Sequence, residues 1–105
     1  MPQKPVTLIN LLKVKAGTQD DLIAMLKQNT ESVIRKLDGW RSTRLIASAD
    51  GASVIIHSEW ETPANVEAMR NDPRMKAYFP EILKLASFES IMGEVAVSHE
   101  RRHDP

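Results

Sequence analysis

Cysteine is absent from the 105 residues, which removes disulfides, thiolate catalysis and Cys-ligated zinc or iron–sulfur centres together. Aromatic residues make up only 5% of the chain, so no base-stacking platform is available. Neither sign of charge is in excess. Lys plus Arg and Asp plus Glu each number 14, so no net field favours nucleic acid or an anionic membrane as a partner. The start, MPQKPVTLINLLKVK, lacks the long apolar core of a signal peptide, because Val6 to Leu12 is short and interrupted by Thr7 and Asn10. A cytoplasmic protein is expected. There is no Gly-rich phosphate loop, HExxH or GxSxG, and the chain is long enough for one domain over residues 1–105 with one site, not for separate cofactor and substrate domains.

What is present centres on Ser53 to Thr62, SVIIHSEWET. Its β-branched run predicts a strand whose alternation puts Val54, Ile56, Ser58 and Trp60 on one face and Ile55, His57 and Glu59 on the other. Both faces are mostly apolar, as in a central strand covered on two sides.

The flanking sequence predicts the rest of a subunit. Val6 to Lys15 alternates as a first strand, with Leu8, Asn10, Leu12 and Val14 sharing a face. Gly17 breaks it, and Thr18, Asp20 and Asp21 predict a helix start whose hydroxyl caps and whose carboxylates suit the helix dipole. Apolar spacing through Leu22, Met25, Leu26, Val33 and Leu37 carries that helix to Asp38-Gly39, where Gly39 caps it. Trp40 to Ala49 reads as a second strand joined to the third by an Asp50-Gly51 hairpin. Thr62-Pro63 starts a short helix over 64–71 with Val66 and Met69 inward, and Asp72-Pro73 separates it from a segment over 74–86 in which Pro80 predicts a kink or break. Val95 and Val97 mark a fourth strand over 94–98, and residues 100–105 read as a disordered tail. The order strand, helix, strand, strand, helix, strand is the ferredoxin-like βαββαβ arrangement of the α+β class, with a four-stranded antiparallel sheet. Helices cover one sheet face, and Ile9, Leu11, Leu45 and Ile55 are too apolar to leave in water on the other, so a homodimer through that face is expected.

The segments INLLKVKAGTQDDL, DGWRSTRLIASADGASVIIHSEWET and NDPRMKAYFPEI, in that order, resemble the antibiotic biosynthesis monooxygenase superfamily over about residues 6–98. The resemblance implies a dimeric α+β barrel with a pocket between each sheet and its own helices. Within the superfamily the anthrone and quinol oxidisers are the most similar, and they act on phenols, quinols or anthrones with O₂ as co-substrate and no cofactor. Trp60 matches their strand-end tryptophan, while Ile56 and Val66 stand where they carry an asparagine and a tyrosine. Asn10 aligns with the first-strand asparagine of haem-degrading members, whose tryptophan and histidine fall near Met69 and Phe79. No histidine is there to hold iron, which argues against haem degradation. The resemblance thus implies a cofactor-independent monooxygenase of a small aromatic or quinol-like substrate. The alternative is a dimer of the same fold that binds or processes a small signalling molecule or metabolite.

Candidate site residues follow from both readings. Trp60 would stack on a flat substrate and donate its indole N–H to a phenolate or peroxide oxygen, or else pin strand to helix as a core residue. Asn10, an amide on an apolar face, needs a hydrogen bond from a substrate or a neighbouring strand. Tyr78 would orient a substrate oxygen or simply pack its ring. His57, with a reference pKa of about 6.5, is a weaker candidate base because parity assigns it to the dimer face. Ser58, Ile56, Val66, Met69 and Phe79 are expected to line the substrate pocket, with Arg44, by parity with Trp40 and Ile46, at its mouth. His99 and His103 have no carboxylates at metal-ligand spacing, and no metal is expected.

Overall fold

In the computed structural model, which describes residues 5–101, the β-branched run of SVIIHSEWET forms strand β3 (Ser53–Trp60) with the predicted alternation. Val54, Ser58 and Trp60 are buried beneath the helices, while Ile55, His57 and Glu59 are half-buried on the opposite face. The other elements are β1 (Val6–Val14), α1 (Gln19–Ser32), a 3₁₀ turn (Ile34–Lys36), β2 (Trp40–Ala47), α2 (Pro63–Asn71), α3 (Pro73–Leu85) and β4 (Ala86–Gly93). The sheet is antiparallel in the order β2-β3-β1-β4, the ferredoxin-like α+β arrangement that the element order predicted. No helix among the described residues is long and apolar enough to cross a membrane.

Local chemistry sets most of the boundaries. Thr62 caps α2 by accepting from the Asn65 N–H at 3.2 Å, with Pro63 in its first turn. Asp72 does the same for α3, accepting from the Arg74 N–H at 2.8 Å and from its guanidinium at 3.1 Å. These bonds from Arg74 hold the Asp72 carboxyl below the usual carboxylate range. Its folded pKa is depressed, so the stability it contributes is present above the ordinary carboxylate pKa and is lost as pH falls through the folded value. Gln19 ties the start of α1 to the β2–β3 hairpin, donating to the Ser48 and Ser53 carbonyls at 3.1 and 2.9 Å.

Four expectations need correction. The last strand is Ala86–Gly93, not 94–98, and Val95 and Val97 lie beyond it, 54% and 71% exposed. α3 runs directly into this strand, whose faces are chemically mixed and so hide the alternation. Helix α3 continues unbroken through Pro80. Thr18 does not cap α1, since its hydroxyl donates back to the Lys15 carbonyl at 2.7 Å. The first helix ends at Ser32, short of Gly39, and the 3₁₀ turn fills the gap. Of the expected tail, residues 102–105 lie outside the described residues.

Gly39 remains a fixed point of the fold. Its φ is +80°, and a Cβ there would overlap the side chain of Asn65, which Thr62 holds by a 2.7 Å hydroxyl bond to Oδ1. Gly39→Ala combines left-handed backbone strain with that overlap, so it is expected to cost on the order of 2 kcal/mol in denaturant unfolding.

Two adjoining hydrophobic clusters make the core. Val6, Leu8, Val33, Trp60, Val66, Met69 and Met75 form one, and Leu12, Leu22, Leu26, Val54, Ile82 and Ala86 the other. Tyr78 and Phe79 pack against both, so α3 bridges them.

Candidate active site in the cavity between sheet and helices

Between the inner sheet face and the helices lies a cavity of about 340 Å³, inside the range of roughly 300–1,000 Å³ typical of small-molecule sites. Leu8, Leu12, Leu45 and Ile56 form its sheet wall, and Met69, Met75, Phe79 and Ile82 much of its helical wall. Its polar groups are Asn10 on β1, Asn29 and Thr30 on α1, Arg70 on α2 and Ser90 on β4. Strand register explains part of this grouping, because Asn10 pairs with Ser90 on one side and Ile56 on the other. Arg70 bends toward them. Its Nη2 donates to Ser90 Oγ at 3.3 Å while Nη1 pairs with the Glu67 carboxylate at 2.8 Å.

Among the described residues, the lining contains no His, Cys, Asp, Glu or Lys. Its one formal charge is the Arg70 guanidinium, 37% exposed, which in a mostly apolar surround favours a bound anion. What the site offers is therefore amide and hydroxyl hydrogen bonding, one cation and a mostly apolar volume. It brings no ordinary general base.

The expected residues divide cleanly. Asn10, Ile56, Met69 and Phe79 line the cavity. Trp60, Ser58, Val66 and Tyr78 are not among its lining residues. Trp60 is 1% exposed in the core behind Leu8, Met69 and Met75. Its Nε1 donates to Ser58 Oγ at 3.2 Å, and Ser58 donates on to the Leu8 carbonyl at 3.4 Å. The indole N–H thus has a protein partner. Trp60→Phe is accordingly expected to lower unfolding stability by about 1–3 kcal/mol while leaving KM for an aromatic substrate within about threefold.

His57 sits on the outer sheet face, as parity predicted, and Arg44 joins it there, directly opposite on β2. The pocket-mouth position expected of Arg44 fails because a β-bulge between Trp40 and Ser42 inverts the alternation beyond it. For the same reason Leu45 faces the cavity and Ile46 the outside. Asn29, Thr30, Arg70 and Ser90 were not anticipated. Asn29 had a signal, since Leu22, Leu26, Asn29 and Val33 share one helical stripe and an amide there interrupts an apolar face. Arg70 had none, being one of many arginines with an exposed-face reading.

A single antiparallel sheet covered on one face by helices, with a small, mostly apolar cavity between the two layers, defines a compact α+β architecture. Sequence comparison makes this specific, because a family model described as antibiotic biosynthesis monooxygenase matches residues 5–81. The chain belongs to the antibiotic biosynthesis monooxygenase family. It is 33% identical over 92 residues to tetracenomycin-F1 monooxygenase of Streptomyces glaucescens, a match covering 88% of this chain and 82% of that protein. In fold it is similar to SnoaB, a cofactor-independent oxygenase from Streptomyces nogalater, with TM-score 0.82 at 14% identity, covering 90% of this chain and 96% of that one. Rv0793 from Mycobacterium tuberculosis is similar with TM-score 0.73 at 22% identity, covering 94% and 100% of the two chains.

Proposed function

We propose that this protein is a cofactor-independent monooxygenase that oxidises a phenol, quinol or anthrone-type aromatic with O₂ inside the cavity, and that it works as a homodimer in the cytoplasm. The observation that carries the reading is the cavity lining, an apolar slot with two amides and one guanidinium facing a single space. The 33% identity to a tetracenomycin-F1 monooxygenase supports it, as does the shared fold of a cofactor-independent oxygenase.

The chemistry asks little of the protein in covalent terms. Arg70 favours the substrate anion, and with no side chain in the described lining able to take up a proton, the proton leaves to solvent. Asn10 holds the anionic oxygen by its amide N–H and orients the ring. The electron-rich anion passes one electron to O₂. Recombination of the resulting radical with superoxide forms a C–O bond, and a proton gives the hydroperoxide. Cleavage of the O–O bond with loss of water, taking the remaining hydrogen of that carbon, leaves the carbonyl. For an anthrone the balance is substrate plus O₂ giving quinone plus water. Trp60 and Tyr78 support the wall from behind.

The test is O₂ consumption by chelator-treated protein given an anthrone or menadiol. The expected result is uptake well above the protein-free rate; uptake equal to that blank for both compounds would count against the reading. A second reading, a dimer that binds a small signalling molecule without oxygenating it, is favoured by Ile56, which puts an alkyl group in the cavity where the anthrone oxidisers carry an amide.

A further inference from the structure

Asn29 is 2% exposed, borders the cavity, and its Oδ1 has no hydrogen-bond partner. Of the buried side-chain polar atoms among the described residues, it alone is left unpaired. Neighbouring Thr30 cannot relieve it, because its hydroxyl already donates to the Leu26 carbonyl at 2.8 Å. Most of the cavity lining is apolar, Leu26, Ile34 and Leu45 among it, and no donor in the described structure bonds the Asn29 oxygen. A buried acceptor without a donor destabilises the fold, and the same stripe position would take leucine comfortably, as Leu22 and Leu26 show.

We propose that Asn29 is a specificity-determining residue, selecting ligands that bring a neutral hydroxyl donor to the α1 side of the cavity. This rests on the reading of the cavity as an aromatic binding site. A ligand O–H supplies the missing bond to the amide oxygen once rotation of the amide brings the buried Oδ1 to the cavity surface. A ligand of equal size without the donor leaves the acceptor unpaired and binds more weakly, which is how a buried polar group rejects an analogue that cannot satisfy it. Asn10, Ser90 and Arg70 line the same cavity from β1, β4 and α2, elements other than the α1 that carries Asn29, so the cavity would read two oxygens of a substrate at once. The preferred substrate class is therefore a polyhydroxylated aromatic, with one oxygen ionised toward Arg70 and another kept as a neutral hydroxyl toward Asn29.

The experiment is a binding titration of the full chain with 2-naphthol and with 2-methoxynaphthalene, at a pH near 6 where the naphthol is neutral and Arg70 has no anion to select. Wild type is expected to bind the naphthol roughly tenfold more tightly. Asn29→Leu should bind both within about threefold and melt about 4 °C or more above wild type, since it removes the unpaired acceptor. Asn29→Ala should lose the preference as well. A tenfold preference that survives in either variant, or wild type with no preference, would overturn the proposal; so would an Asn29→Leu variant that melts well below wild type, which would make the amide structural. Because the readout is binding, an Asn29-dependent preference in a protein that never consumes O₂ would remove the oxygenase reading and leave this one standing.

Discussion

Replacing Arg70 with alanine is expected to lower kcat/KM for an anthrone by about 10²–10³-fold, the size seen when one preorganised group that stabilises developing negative charge is removed. Among the described residues the guanidinium is the one charged group in the lining, so no described neighbour substitutes for it. Its salt bridge to Glu67, 60% exposed, is of the weak solvent-screened kind and leaves Arg70 free to turn toward a bound anion. Ser90 keeps it pointed that way. The pH profile separates this role from a packing role. In wild type the bound substrate ionises at lower pH than in water, so the rate should reach its plateau early; in Arg70→Ala the plateau should move to higher pH by at least one unit, with part of the lost rate recovered there. Arg70→Lys keeps the charge without the planar fork and should fall between the two. Steady-state kinetics across pH, with each variant's unfolding curve as control, provide the check.

Ile9→Asp is expected to convert a dimer into a monomer at micromolar concentration. Register places Arg44, His57, Ile9 and Ile91 in one row across the outer face and Ile46, Ile55, Leu11 and Glu89 in the next. Ile9, Ile46 and Ile91 are 37%, 46% and 68% exposed, an apolar centre rimmed by charges of both signs, which is the anatomy of a subunit interface. In a two-fold dimer one substitution places two carboxylates in that centre, each costing several kcal/mol if left unpaired. Sedimentation velocity decides it: the account expects twice the 11.8 kDa chain mass for wild type and a single chain for the variant. Wild type sedimenting as a clean monomer would refute the interface.

How much of this was legible in the sequence depended on whether each face kept one chemical character. β3 did, apart from Ser58 and His57, and its two faces could be assigned residue by residue. β1 did as well, and its exception, Asn10, is a cavity residue. β4 was misplaced because the structure puts Ser90 inward and Ile91 outward, the reverse of what alternation by polarity expects. Ser90 is inward because the cavity is there, and Ile91 is outward on the face proposed to meet a second subunit. With a polar residue facing the cavity and an apolar one facing outward, β4 carries no local alternation to read. Arg44 and Leu45 were reversed for a backbone reason, since the one-residue bulge after Trp40 leaves no mark in residue type. Of the two roles open to Trp60, the structure places its ring in the core and outside the cavity lining. A tryptophan at a strand end near a pocket invites a functional role, yet Ser58, two residues before it on the same face, already meets its N–H.

The most direct measurement is isotopic. An anthrone oxidised under ¹⁸O₂ in ordinary water, by chelator-treated protein, should give quinone with one ¹⁸O atom in the new carbonyl and the other in released water. Near-complete single labelling is expected, diminished in rate but not in pattern by Arg70→Ala. Quinone without the label, its new oxygen drawn from water, would contradict it.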